Sequence, residues 1–222
     1  MSGIWARPYD MADPREREVG LGLAADAVGR GELVVLPTDT VYGLGTDAFS
    51  PSAIGELLAA KGRGREMPVP VLVGSPRTLD GIATGLSGAA RDLVTAFWPG
   101  ALTLVATAQP SLRWDLGDTG GTVAVRMPLH PVAIELLRVT GPMGVSSANI
   151  SGQPAPTTCD QAIEQLGEKV SVYLDGGTSG DSVPSTIVDV TGDRVRVVRL
   201  GAVTLEDLRE VVPELDDYGD QS

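Results

Sequence analysis

The chain of 222 residues carries 29 acidic against 17 basic residues, a formal charge of −12, and 42% of it is hydrophobic. That charge argues against a broad basic surface gripping duplex nucleic acid through many phosphates. No apolar run approaches the roughly 18 residues that would span a bilayer.

The N-terminal stretch has acidic residues and no apolar signal core, so a cytoplasmic location without a membrane partner is expected. The lone cysteine, Cys159, excludes an internal disulfide and reads as a small, half-buried side chain. A single domain is expected, with its core over residues 15–205. Residues 206–222 read as an acidic extension, where seven acids stand against Arg209.

In chain order, period and punctuation predict a helix over Asp13 to Arg30, with Val19, Leu23 and Ala27 on its buried face and Gly31 ending it. A strand at Leu33 to Leu36 follows, then a proline-opened helix at Pro51 to Ala60 and an apolar strand at Val69 to Val73. Helices are expected at Arg91–Phe97, stopping at the Trp-Pro-Gly turn, at Pro131–Val139 and at Cys159–Leu166, with a last one from Thr204. Strands are expected at Leu102–Ala106, Thr122–Arg126, Met143–Val145 and Val172–Leu174. The pair Ser185–Val190 and Arg194–Leu200, turning at Thr191 to Asp193, predicts an antiparallel hairpin. The fold class is therefore α/β or α+β, a twisted mixed sheet with surrounding helices.

Several nucleotide and hydrolase motifs come close and miss. Gly43-Leu-Gly45-Thr-Asp-Ala48 matches a dinucleotide fingerprint, but six residues separate it from the preceding strand and no helix follows directly. The glycines are expected to let the backbone turn away. A P-loop fails because Ala60 precedes Lys61 and Gly62 follows it. A serine triad fails because the only histidine, His130, sits between Leu129 and Pro131 as a helix-entry residue.

Three features do carry chemistry. Only Lys61 and Lys169 are lysines, and Lys61 opens the cluster Lys61-Gly-Arg63-Gly-Arg65, whose glycines allow three cations to converge on a polyanion. The run Val145 to Thr157 follows a short strand with Ser146, Ser147 and Asn149, uncharged donors and acceptors suited to a polar ligand. Arg126 and Arg199 each close an apolar strand, a natural position for clamping carboxylate or phosphate.

Taken together, the stretches "PTDTVYGLG", "AKGRG", "FWPGALTLV", "TVAVRMPLHP", "SSANISGQPAPT" and "PSTIVDV" followed by "VRLGAV" resemble, in order, the YrdC-like family of L-threonylcarbamoyladenylate synthases. The resemblance implies one large concave basic cleft. It also implies an enzyme, a nucleotidyltransferase, that converts L-threonine, bicarbonate and ATP, with magnesium, to threonylcarbamoyl-AMP and pyrophosphate. Downstream tRNA threonylcarbamoyl transferase proteins would consume the product in threonylcarbamoyladenosine modification of tRNA.

By position, the resemblance places Thr38, Tyr42, Arg126 and Ser185 at the threonine. It places Lys61, Arg63, Arg65, Thr122, Val145, Ser147, Asn149 and Arg199 at the ATP, with Lys61 and Arg63 as the catalytic pair. Asp39 and Asp47 are the candidate contacts to magnesium through water, without a signal separating that role from a turn. Where many relatives continue with an "NPLIVH"-like segment, this chain reads "GREMPVPVLV", so that wall is expected to differ.

No residue stands out as a general base, so catalysis is expected to rest on positioning and charge stabilisation. Two other readings use the same fold: a module that binds double-stranded RNA or tRNA without making an adenylate, and a carbamoyl-transfer enzyme acting on carbamoyl phosphate. The −12 charge weakens the first. The chain lacks the acylphosphatase and zinc-finger regions expected of the second.

Overall fold

Short capped helices and short strands follow the punctuation of the chain. Asp13 accepts the N–H groups of Arg15 and Glu16 just ahead of Pro14, and Ser50 accepts that of Ala53 just ahead of Pro51, so two helices start where proline costs no hydrogen bond. Gly62, left-handed at φ 60°, ends the second of them. The structure, a computed structural model, describes residues 7–180 and 183–216.

The strands are β1 (Tyr9–Asp10), β2 (Val34–Leu36), β3 (Gly43–Asp47), β4 (Val71–Leu72), β5 (Ala83–Thr84), β6 (Leu102–Ala108), β7 (Thr122–Arg126), β8 (Met143–Ser147), β9 (Val172–Asp175), β10 (Thr186–Asp189) and β11 (Arg196–Arg199). The helices are α1 (Pro14–Gly29), α2 (Pro51–Lys61), α3 (Leu79–Ile82), α4 (Gly88–Phe97), α5 (Pro131–Thr140), α6 (Cys159–Leu166) and α7 (Leu205–Val211). One mixed sheet runs β1-β9-β2-β3-β8-β4-β7-β6-β10-β11, with β5 beside β6. Its centre alternates direction: β3 is antiparallel to β2 and β8, and β4 is antiparallel to β8 but parallel to β7. The expected hairpin is present as antiparallel β10 and β11.

Two cores sandwich this sheet. On one side α2, α4, α6 and α7 bury Leu57, Leu93, Ala162 and Leu208 against Leu104, Val125 and Val188. On the other, α1 and α5 bury Ala24, Val28, Leu136 and Leu137 against Leu36, Met143 and Leu174. Side chains alternate along a strand, so Leu102, Leu104 and Ala106 enter the first core while Thr103 and Val105 face the other way. There α1 and α5 cover the β2–β8 half, and the half built from β4, β7, β6, β10 and β11 is left open as a cleft.

Three expectations change. The buried face of α1 is Gly20, Ala24, Ala27 and Val28, while Val19 and Leu23 are exposed. The helix sits too close for larger groups, since a Cβ on Gly20 would lie 2.7 Å from Tyr9 Cβ. Gly43 and Gly45 do not turn the backbone away; they are the first and the central residues of β3. A Cβ at Gly43 would come within 2.7 Å of Val145 Cγ1 and one at Gly45 within 2.9 Å of Met143 Cε, so glycine is what lets β8 side chains fold over β3.

The stretch expected to be an acidic extension is folded onto the domain over residues 206–216. Leu208 and Leu215 are buried, Asp216 bridges Arg196 in parallel, and Arg194 pairs with Asp216 at 3.0 Å. The rest of it, residues 217–222, lies outside the described residues.

Gly43→Ala is expected to lower stability by about 1–3 kcal/mol through overpacking. Urea unfolding checks this, and Gly43→Ala/Val145→Ala together is expected to cost less than the two single changes added, because the clash is shared.

Candidate functional site

The open half of the sheet face forms a cleft of about 590 Å³. Its walls carry the hydroxyls of Thr38, Thr40, Thr103, Thr119, Thr122, Ser146, Ser147 and Ser185, an apolar floor that includes Val69, Val105, Val145 and Ile187, and three arginines, Arg63, Arg126 and Arg199. Among the described residues the lining contains no carboxylate. A concave, part-apolar chamber with a few converging cations is suited to small anionic ligands.

Arg126 is the most constrained of the three. It ends β7 and is buried, with Nε donating to Gly100 O at 2.9 Å, Nη1 to Thr40 Oγ1 at 3.0 Å and Nη2 to Asp39 Oδ1 at 2.6 Å. Asp39 is held in turn by the Leu129 N–H at 2.9 Å. Burial holds the guanidinium pKa below its ordinary value, with the Asp39 carboxylate opposing the shift only in part and Arg199 repelling alongside. Two of its five N–H donors are left over for a ligand. On the opposite wall Arg199 Nη2 donates to Ser185 O at 2.6 Å, and Ser185 Oγ shares a 2.8 Å hydrogen bond with Thr103 Oγ1.

Lys61 sits differently from expectation. The C-terminus of α2 carries it beneath the turn that follows β8, where its ammonium donates to the carbonyls of Ser147 and Asn149, and Ser151 N–H returns to Lys61 O at 2.8 Å. It is 2% exposed and absent from the cleft lining, so it braces the Ser147–Asn149 turn from behind. Burial, with Arg63 repelling alongside, pushes its pKa down to about 8. Arg63 does reach the cleft, donating to Ser146 Oγ at 3.1 Å while its Nε is buried without a partner among the described residues. Asn149 Nδ2 ties Ile150 O and Gln153 O, and its Oδ1 is likewise buried and unpaired.

Of the remaining predicted residues, Thr38, Thr122, Val145 and Ser147 line the cleft. Thr38 Oγ1 donates to Val41 O at 2.6 Å, Thr122 Oγ1 to Thr119 O at 2.8 Å, and Val145 N–H is taken by Pro70 O. Tyr42 does not reach the cleft. Its ring is fully buried, and its hydroxyl donates to Gly177 O at 2.6 Å and accepts from Gly176 N–H at 3.0 Å, fastening the loop that leaves β9. Arg65 points away as well, pairing with Asp115 at 2.7 Å and Asp118 at 3.4 Å.

Those pairs explain how the divergent wall is built. Val69 N–H bonds Leu116 O and Asp118 N–H bonds Arg65 O, both at 2.8 Å, so the loop after α2 is zipped to the loop before β7. Trp114 stacks on Phe49 on the outer side of this wall. Thr40, Thr103 and the pairing role of Asp39 escaped the sequence reading. The alternation of Thr103 with Leu102 and Leu104 was the available signal, since it places the hydroxyl opposite the core.

Among the described residues there is no group of three or more His, Cys, Asp or Glu side chains able to hold a metal ion. Asp39 is committed to Arg126 and Leu129, and Asp47 lies at the far end of β3 with Oδ1 on Phe49 N–H. Among the described residues the donors do not gather into a resident magnesium site. His130 caps no N–H of α5 and lies outside the cleft lining, consistent with its reading as a helix-entry residue.

A mixed sheet whose cleft carries three arginines among hydroxyls defines a protein built to hold small anions against a rigid wall. Residues 26–201 match the Sua5/YciO/YrdC family, described as "Telomere recombination", and the chain belongs to that family. It is 58% identical over 204 residues to a Mycobacterium tuberculosis protein provisionally named a threonylcarbamoyl-AMP synthase, covering 92% of this chain and 94% of that one. It is 37% identical to the Pyrococcus abyssi threonylcarbamoyl-AMP synthase, covering 90% of this chain and 60% of that one. The crystal structure of P. abyssi Sua5 complexed with L-threonine superposes with a TM-score of 0.85 at 33% identity, over 93% of this chain and 60% of that one.

The buried Lys61 sets a pH dependence. Its folded pKa of about 8 lies below the ordinary 10.5, so between these values the unfolded chain binds the proton that the folded chain has released. Stability contributed by this group therefore rises with pH across that window. Relative to Lys61→Met, the wild-type chain is expected to gain on the order of 1 kcal/mol between pH 7.5 and 9.5 in urea unfolding.

Proposed function

We propose that this chain is an L-threonylcarbamoyladenylate synthase, making threonylcarbamoyl-AMP and pyrophosphate from L-threonine, bicarbonate and ATP. The carrying observation is the cleft that joins one anchored arginine, Arg126, to two further arginines, Arg63 and Arg199, with no carboxylate lining it among the described residues. The names of the relatives and the L-threonine bound by P. abyssi Sua5 support the same reading and weigh against an RNA-binding module.

The two remaining N–H donors of Arg126 take the threonine carboxylate, with Thr38, Ser185 and Thr103 hydroxyls along the same end of the cleft. The triphosphate, with its magnesium, lies toward Arg63 and Arg199, beside Ser146 and Ser147. The threonine amine attacks the carbon of bicarbonate and water leaves, giving a carbamate. A carbamate oxygen then attacks the α-phosphorus and pyrophosphate departs. The chain supplies orientation and positive charge for the polyanion, and the developing charge on the leaving group falls on cations already in place. Lys61 acts by fixing the Ser147–Asn149 turn, and Tyr42 by fixing the loop after β9. The adenylate product passes to a tRNA threonylcarbamoyl transferase system.

Arg63→Ala is expected to raise the KM for ATP about tenfold or more, the scale of a lost charge-assisted hydrogen bond. Arg65→Ala, which breaks exposed pairs only, is expected to change it less than about twofold. Threonine-dependent pyrophosphate release in ATP, magnesium and bicarbonate measures both. Absence of threonine dependence in the wild-type chain, with an active control, overturns the function.

A further inference from the structure

The three cleft arginines are not equivalent. Arg126 has a carboxylate at 2.6 Å, and both members of this pair are largely buried, with side-chain exposures of 8% and 15%. Among the described residues neither Arg63 nor Arg199 has an acidic partner within salt-bridge distance; their partners are the neutral Ser146 hydroxyl and Ser185 carbonyl. Glu66 attracts Arg63 only at longer range. Arg126 is thus compensated by a carboxylate of its own, while the charges of Arg63 and Arg199 have no such partner among the described residues, although Arg199 lies near enough to repel Arg126.

We propose that Asp39 is a specificity-determining and positioning residue that reserves Arg126 for a monoanionic carboxylate and leaves the polyanion to Arg63 and Arg199. The inference rests on the proposed synthase reading, in which one cleft must hold an amino acid and a triphosphate without exchanging them. A phosphate group carries more charge and more acceptor oxygens than a carboxylate, and an isolated buried guanidinium favours it. The Asp39 carboxylate removes that advantage by offsetting the positive charge that a second anion would meet at Arg126. It also fixes the direction of the guanidinium, because Asp39 Oδ1 is itself held by Leu129 N–H while Thr40 Oγ1 and Gly100 O take two further donors.

The loop after β9 lies on the same turn and keeps it from moving. A Cβ on Gly180 would be 2.6 Å from Asp39 O and 3.0 Å from Thr40 O, so the two segments touch backbone to backbone. The Tyr42 hydroxyl fastens the start of that loop at Gly176 and Gly177. The acid at position 39 is therefore held on both sides and presents its charge to Arg126 alone among the cleft arginines.

The test uses sulfate as a divalent anion in the pyrophosphate-release assay, with the wild-type chain and Asp39→Asn, threonine and ATP being varied in turn. In the wild-type chain sulfate is expected to compete with ATP and not with threonine. In Asp39→Asn, sulfate is expected to become competitive with threonine, raising its KM about fivefold or more at a concentration that moves the wild-type value less than twofold. A merely structural role for Asp39 would not create anion competition at the threonine end. Thr40→Val, which removes a neutral acceptor from Arg126, is expected to raise the threonine KM without creating that competition.

An unchanged sulfate pattern in folded, active Asp39→Asn overturns the proposal. So does a wild-type chain in which sulfate competes with threonine, an outcome that decides the matter even where the variant does not fold. A wild-type chain with no threonine-dependent turnover overturns the synthase reading itself and is distinguishable from both.

Discussion

Arg126 is where three separated stretches of chain are made to agree. It ends β7, and its guanidinium reaches the Gly100 carbonyl of the turn before β6, the Thr40 hydroxyl and Asp39 carboxylate of the loop after β2. Leaving a buried guanidinium without partners in a poorly solvating interior costs several kcal/mol. The positions of the two loops are consequently tied to one planar group, and the wall of the cleft inherits that rigidity. The ligand end of the site is therefore set before any ligand arrives.

A second cation works in the same way on the other side. Lys61 closes α2, where the C-terminal end of a helix favours positive charge, and its ammonium is spent on the carbonyls of Ser147 and Asn149. The turn after β8 is thereby drawn onto the end of α2. Arg63, two residues on, clears the helix through the left-handed Gly62 and enters the cleft. One cation becomes part of the scaffold and the next becomes part of the surface, although they lie side by side in the sequence.

Periodicity and punctuation made most elements legible. The proline-opened helices, the strands β6 and β7, and the β10–β11 hairpin follow from local signals of capping, alternation and turn chemistry. β3 was hidden because its two glycines look like a loop, and only the Val145 and Met143 side chains of β8 explain them. The face of α1 was misassigned for a related reason. A helix packed on β1 at glycine distance buries small residues and leaves Val19 and Leu23 outside, against what hydrophobicity alone suggests.

The order of chemically marked stretches in the sequence was enough to determine the family, the kind of fold and most of the polar residues that line the cleft, because residue type and spacing are local properties. Which cations face the cleft was decided only in three dimensions. Lys61, Arg63 and Arg65 share one short cluster, yet the first is turned to backbone carbonyls, the second to the cleft and the third to Asp115 and Asp118 on a neighbouring loop. The partners that make this choice lie about fifty to ninety residues away in the chain. Pairing of charge depends on where the folded backbone brings those partners, and no spacing within the cluster encodes it.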